Sequence, residues 1–224
     1  MKLDVEYIDK PFHVVELPLT KVYVIDNYLE TSIHHSINKT FTSAPIWSKT
    51  NEVRGNSPTG LSHHQFWGAS FLRNKNQEEE NSCRKSLYLA KAFNERIQTD
   101  FGFKWIRFQY MGLNSQTQGL HGTTHSDCAG EDDWNLSFLY YYNTFWNSNW
   151  GGTLRFYDEQ QQGLDGRDEH IQNHQIAEVE FKPNRLLMFD GRIPHGADAP
   201  NENARYADRR SIVLRGDEVE LCPQ

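Results

Sequence analysis

From Phe103 onward the chain changes texture, and that change limits what it can fold into. Short runs rich in aromatic, β-branched and apolar residues follow one another, each broken by turn residues. Phe103–Leu113, Trp134–Asn143, Thr153–Tyr157, Gln175–Phe181, Arg185–Asp190 and Arg209–Arg215 read as strands. Gly151-Gly152 and Pro183-Asn184 punctuate two of the joints. Ahead of them, the β-branched run Val22–Ile25 leads to Asp26 or Asn27 as a helix cap. Tyr28, Leu29, Ile33, Ile37 and Phe41 then recur at helical spacing. Leu87, Ala90, Phe93, Ile97 and Phe101 mark a second amphipathic helix, closed by Gly102. Two helices followed by many short strands predict a mostly β sandwich or jelly roll with flanking helices.

The length of 224 residues suits one domain with elaborations. Residues 1–102 are its helical and loop support and 103–216 its jelly-roll core. Residues 43–67, with two prolines and two glycines, read as a long loop that could cover a site. The segment 158–174 reads as a polar insertion.

A formal charge of −7 gives no general field to attract nucleic acid. The three cysteines, Cys83, Cys128 and Cys222, are odd in number and lack a C-x-x-C, which fits a reducing compartment. No apolar run has the length of a secretory signal or a membrane span, so a cytoplasmic location is expected.

The chemistry is concentrated in His125, Asp127, His195 and Arg209. On a strand, His125 and Asp127 would project to one face, because side chains alternate with period two. A second strand delivering His195 would complete two imidazoles and a carboxylate on one side of a metal. That arrangement leaves open positions for a co-substrate and O2 on a non-haem Fe(II) centre, although zinc or manganese could also bind. Arg209 offers a fixed cation for a carboxylate. Other candidate histidines, at 34/35, 63/64 and 170/174, lack a carboxylate or cysteine partner at strand spacing and read as solvated or structural. Cys128 would point away from Asp127.

The joint pattern is more specific than its parts. H125-S-D127, Y140-Y-Y-N143, G151-G-T-L-R-F156, K182-P-N-R-L-L-M-F189, His195 and R209-R-S211 together resemble the Fe(II)/2-oxoglutarate-dependent dioxygenases, prolyl 4-hydroxylase-like branch. The resemblance runs from about Tyr110 to Arg215, roughly half the chain. It implies a double-stranded β-helix, cupin-like core. It implies Fe(II) held by His125, Asp127 and His195, with 2-oxoglutarate and O2 as co-substrates, and it admits ascorbate. It also implies Arg209 on the far carboxylate of 2-oxoglutarate, with Ser211 adding a hydroxyl and Tyr141 a phenol. Tyr110 matches a further co-substrate tyrosine loosely, with Asn114 and Gln116 as alternatives.

The expected reaction is hydroxylation of an aliphatic C–H, on a prolyl or other peptide side chain, with release of succinate and CO2. A free amino acid or other small metabolite is an alternative substrate. Nucleic-acid dealkylation is another: Arg209 and Arg215, six residues apart, resemble the paired arginines of the alkylation-repair oxygenases, and the acidic charge opposes this reading. A non-catalytic barrel is disfavoured by the intact His-Asp-His and Arg set.

Overall fold

The computed structural model describes residues 2–14, 16–43, 47–52, 65–73, 84–128, 135–158 and 172–222. In chain order these form β1 (Asp4–Tyr7), β2 (Lys21–Ile25), α1 (Thr31–Thr42), β3 (Ser48–Glu52), β4 (Gln65–Arg73) and α2 (Arg84–Phe101). There follow β5 (Phe103–Gln116), β6 (Leu136–Tyr141), β7 (Leu154–Tyr157), β8 (Gln175–Val179), β9 (Leu186–Asp190), β10 (His195–Ala197) and β11 (Arg209–Leu221). An eight-stranded sheet has the order β1-β2-β9-β6-β11-β5-β4-β3, and a three-stranded sheet has the order β10-β7-β8. This is the jelly-roll layout, mostly β with two flanking helices.

Strand parity divides the large sheet into two buried faces. Tyr140 and Phe138 of β6 pair with Ile212 and Leu214 of β11. These four, with Met111, Leu113 and Met188, join one cluster with Ile37 and Phe41 of α1 and Phe93, Ile97 and Phe101 of α2. The alternate residues Leu139, Leu187, Phe189 and Val213 join Leu154, Phe156 and Val179 of the small sheet. With both faces covered, β6 is buried at every position, and its sequence shows no polar alternation. The second cluster is the barrel interior, and Arg209, Ser211 and Arg215 of β11 share its parity.

Two local expectations are corrected. Asp26 does not cap α1: its carboxylate takes Arg185 Nε at 2.7 Å and Lys182 Nζ at 2.7 Å. Asn27 has φ 53°, and Glu30 sits at the N-cap without a side-chain bond. Within the expected loop 43–67, Ser48–Glu52 is β3 and Gln65 opens β4, and the two pair antiparallel. Residues 53–64, including Arg54, His63 and His64, lie outside the described residues, as do 159–171 of the polar insertion.

Gly102 ends α2 with φ +67°. A Cβ there would fall 2.2 Å from the ring of His13, so the residue is fixed by close approach as well as by backbone angle. Among the described residues no helix is long and apolar enough to cross a membrane.

Candidate active site

The three candidate ligands arrive from two chain segments that pair at a single point. His125 and His195 exchange backbone hydrogen bonds, N to O at 3.0 and 2.9 Å. Asp127 lies two residues beyond His125 in a bend, not on a strand, and its N–H donates to Gly191 O at 2.7 Å. Strand parity therefore does not place Asp127 beside His125. The residues converge because the 123–127 segment is tied to the turn between β9 and β10.

Asp127 Oδ1 lies 3.7 Å from His125 Nε2, and Oδ2 lies 3.7 Å from His195 Nε2. All three residues place a donor atom within 4.8 Å of the others. Neighbouring ligands at ~2.1 Å from a shared ion are about 3–4 Å apart. The donor set of two imidazoles and a carboxylate suits a divalent metal with open positions. Cys128 does not belong to this group.

Both rings are oriented for it. His125 Nδ1 is 2.9 Å from Thr123 O, and His195 Nδ1 is 2.9 Å from Ile193 O. A carbonyl only accepts, so each Nδ1 carries the proton and each Nε2 keeps its lone pair for the metal. Burial lowers the His195 pKa to about 4, although Asp127 opposes the shift. The ring is therefore neutral at pH 7. The His125 side chain is 35% exposed and that of His195 6%, so access to the metal position is from the His125 side.

Asp127 is held on every edge. Ser137 Oγ donates to its Oδ2 at 2.6 Å, and Asn135 Nδ2 donates to its backbone O at 3.2 Å. Arg215 Nη2 sits 2.5 Å from Oδ1. Burial alone would raise its pKa; His195, Arg215, His125 and Ser137 outweigh that and hold the carboxyl below its ordinary range. Asn135 is buried in this role. Removing an outer partner of a metal ligand typically costs 10–100-fold in metal affinity. Ser137→Ala is accordingly expected to weaken Mn(II) binding by about tenfold, measured by calorimetric titration.

At the other end of the inward row of β11, Arg209 is 2% exposed. Its Nε donates to Gly152 O at 2.8 Å, Nη1 to Gln116 Oε1 at 2.9 Å and Nη2 to Tyr141 Oη at 3.1 Å. The guanidinium lies 4.8 Å over the Tyr141 ring and 5.1 Å over that of Phe181. Among the described residues no carboxylate forms an ion pair with it. Burial lowers its pKa, with Tyr141 and Asp198 working against the shift. A cation this desolvated is costly without an anion. Ser211, directly opposite Tyr141 across the β11–β6 ladder, has a buried Oγ with no hydrogen-bond partner. An unpaired guanidinium beside an unpaired hydroxyl fits a ligand carboxylate.

Gly152 makes this pocket possible. Its φ is +84°, and a Cβ would crowd Arg209 Cδ at 3.2 Å and Trp146 at 3.3 Å. A side chain would displace the guanidinium from the carbonyl that orients it.

The structure thus brings His125, Asp127 and His195 together, and separately Arg209, Ser211 and Tyr141. Gln116 belongs to the Arg209 end, not to the metal's open face. Tyr110 does not touch Arg209: Arg215 stacks on its ring at 4.9 Å. Arg210 points away as parity predicts, bonding Thr42 and Asp208. His34 is structural, buried between Tyr140 Oη at 2.6 Å and Asn143 O at 2.8 Å, and His174 pairs with Asp158 at 2.8 Å. Sequence reasoning missed Ser137 and the contact of Arg215 with Asp127. Ser137 lies four residues before Tyr141 on one strand and so faces inward, a signal that was available.

Residues 109–214 match the family model of the 2OG-Fe(II) oxygenase superfamily. By sequence, no curated protein matches. A prolyl hydroxylase from Trichoplax adhaerens, solved with a hypoxia-inducible-factor degradation-domain peptide, is similar in structure with TM-score 0.53 at 19% identity. The match covers 88% of this chain and 83% of that one. An oxidoreductase of the 2OG-Fe(II) oxygenase family from Burkholderia pseudomallei gives TM-score 0.59 at 11% identity, covering 89% and 87%. At such identities the likeness speaks for the fold, and the family rests on the sequence match. The His-Asp-His group and the buried arginine lie within the matched stretch, and residues 109–214 are a domain of the 2OG-Fe(II) oxygenase superfamily, which makes the protein a 2-oxoglutarate-dependent dioxygenase.

Proposed function

We propose that this enzyme hydroxylates an aliphatic C–H on a prolyl or other peptide side chain, releasing succinate and CO2. The observation that carries the co-substrate half is the fully buried Arg209, with no acidic partner among the described residues, on the interior row that also reaches Asp127. When bound, iron with 2-oxoglutarate and O2 supplies the oxidising chemistry.

The protein's residues have four tasks. His125, Asp127 and His195 hold the metal on one face, with both imidazoles fixed as Nε2 donors by backbone carbonyls. Arg209, Ser211 and Tyr141 bind the far carboxylate and set the co-substrate's direction, since a guanidinium fork fixes orientation as well as position. Leu139, Phe189 and Val213 line the interior and exclude water. The exposed edge of His125 leaves the approach for a substrate side chain. A carboxylate at position 127 favours hydroxylation over halogenation, because it occupies the position a halide would need.

The peptide half draws support from the Trichoplax prolyl hydroxylase, which shares the fold and was solved with a peptide. Nucleic-acid dealkylation loses part of its support, because Arg215 is engaged with Asp127 and Tyr110. The test is Fe(II)-loaded protein with 2-oxoglutarate, offered proline-containing peptides, free amino acids and methylated oligonucleotides. A +16 Da product on peptide with matched succinate release is the expected result. Turnover confined to amino acids or oligonucleotides would replace the substrate class, and no substrate-stimulated succinate with any of them would refute the reaction.

A further inference from the structure

Residues 191–194 join β9 to β10, and three consecutive carbonyls of this turn reach the segments that carry the metal ligands. Gly191 O accepts the Asp127 N–H at 2.7 Å, and Arg192 O accepts the Ser126 hydroxyl at 3.0 Å. Ile193 O accepts the proton of His195 Nδ1 at 2.9 Å. The turn is therefore the common support of two of the three ligands. Its shape decides where the Asp127 carboxylate and His195 Nε2 stand relative to each other.

An ion pair inside the turn fixes that shape. Asp190, the last residue of β9, is buried. Its Oδ1 accepts the Arg192 backbone N–H at 2.9 Å and Nε–H at 3.0 Å, and its Oδ2 accepts Nη2–H at 2.7 Å. The Ile193 N–H closes the same turn onto Asp190 O at 3.0 Å. A guanidinium that grips both carboxylate oxygens fixes orientation as well as position. The partners are two residues apart, so the grip acts on the backbone of the turn itself. With the guanidinium 41% exposed, water can replace much of its contribution to global stability. Water cannot hold three successive carbonyls in register with the ligands.

We propose that Arg192 is a positioning residue of the metal centre. Through Asp190 it locks the 190–193 turn, and through that turn it sets the spacing of Asp127 and His195. It acts on the ligands by way of the backbone and is not itself a ligand. The proposal rests on the metal assignment above and extends it, placing control of metal affinity on an exposed side chain outside the donor set.

The test compares Arg192→Met with Arg96→Met, which breaks a similar pair far from the turn. Arg96 is 31% exposed, and its Nε bonds the buried Asp100 at 2.8 Å within α2. Metal-free wild type and both variants are titrated with Mn(II) by calorimetry. Arg192→Met is expected to bind Mn(II) about tenfold more weakly, as when a metal ligand loses an outer partner. Its Tm without metal should stay within a few degrees of wild type. Arg96→Met should keep the wild-type affinity whatever its Tm. The visible bands of the Co(II)-loaded protein, which follow ligand geometry, should shift in Arg192→Met and not in Arg96→Met. An Arg192→Met affinity within about twofold of wild type, an equal loss in Arg96→Met or an unshifted Co(II) spectrum would overturn the proposal. Should Arg192→Met not fold, Arg192→Gln, which keeps a donor without the charge or the double grip, is read by the same criteria. Failure of the wild type to bind Mn(II) would instead strike the metal assignment.

Discussion

Replacing Arg209 with Met is expected to remove 2-oxoglutarate binding and leave divalent-metal binding unchanged. Arg209 is 2% exposed and its guanidinium makes three hydrogen bonds, all to neutral oxygens, while Ser211 Oγ on the same strand face has no hydrogen-bond partner. A ligand carboxylate placed there would be deprived of its counter-charge in a dry site. Truncating one partner of such a pair costs about 2–5 kcal/mol, or roughly 30- to 5,000-fold in affinity. Stability should respond far less. The substitution orphans Gly152 O and Gln116 Oε1, but it also removes a buried charge with no ion-pair partner among the described residues, and the two effects oppose each other. A shift in Tm of no more than a few degrees, alongside loss of the 2-oxoglutarate signal in calorimetry, is the expected pair of results. A large fall in Tm with co-substrate affinity retained would show Arg209 to be a structural cation.

Asp127→Asn is expected to give the complementary result. The substitution preserves shape but removes the charge that faces His195, Arg215 and His125. Metal affinity should fall by at least about a hundredfold, more than the loss of an outer-shell partner produces. Because the side chain is 2% exposed, the loss also leaves Arg215 without its acid. Breaking a fully buried pair costs about 3–5 kcal/mol, and Arg215, 29% exposed, relieves part of that through water. Near 2–4 °C per kcal/mol for a chain of roughly this size, a Tm drop of several degrees follows. Metal titration separates this variant from Arg209→Met, which retains the metal and loses only the second ligand.

Much of this was legible in the sequence, and the failures have physical causes. Strands β5 to β9 and β11 announce themselves through aromatic and β-branched runs, and both helices through apolar spacing. The short strands did not. β10 has three residues beginning at His195 and exists because Phe156 and its neighbours on β7 pair with it. β3, SKTNE, is wholly polar and pairs with β4. Asp26 has the side chain of a helix cap, yet a pair of cations 156 and 159 residues away claims it. Such long-range competition leaves no local trace.

At the site, residue identity was more readable than geometry. His125, Asp127, His195 and Arg209 stood out by type and order, but their convergence depends on a backbone exchange between His125 and His195 that no periodicity predicts. Gln116 and Ser137 carry no motif. Parity with Tyr141 turns Ser137 inward and Gln116 was a candidate for the metal's open face, but their actual partners follow only from the ladder, which sets Gln116 opposite Arg209 and Ser137 opposite Arg215. Arg215 drew notice only through the likeness of its pairing with Arg209 to that of the alkylation-repair oxygenases; its position gives it an acid, an aromatic platform and a buried N–H without a hydrogen-bond partner.

The most direct test of the whole account is the visible absorption of the anaerobic protein on adding Fe(II) and then 2-oxoglutarate. A band that appears only when both are present in the wild type, and is absent from His195→Ala and Arg209→Met, is the result predicted. A wild type that gives no band, or an Arg209→Met protein whose band forms at wild-type 2-oxoglutarate concentrations, would contradict it.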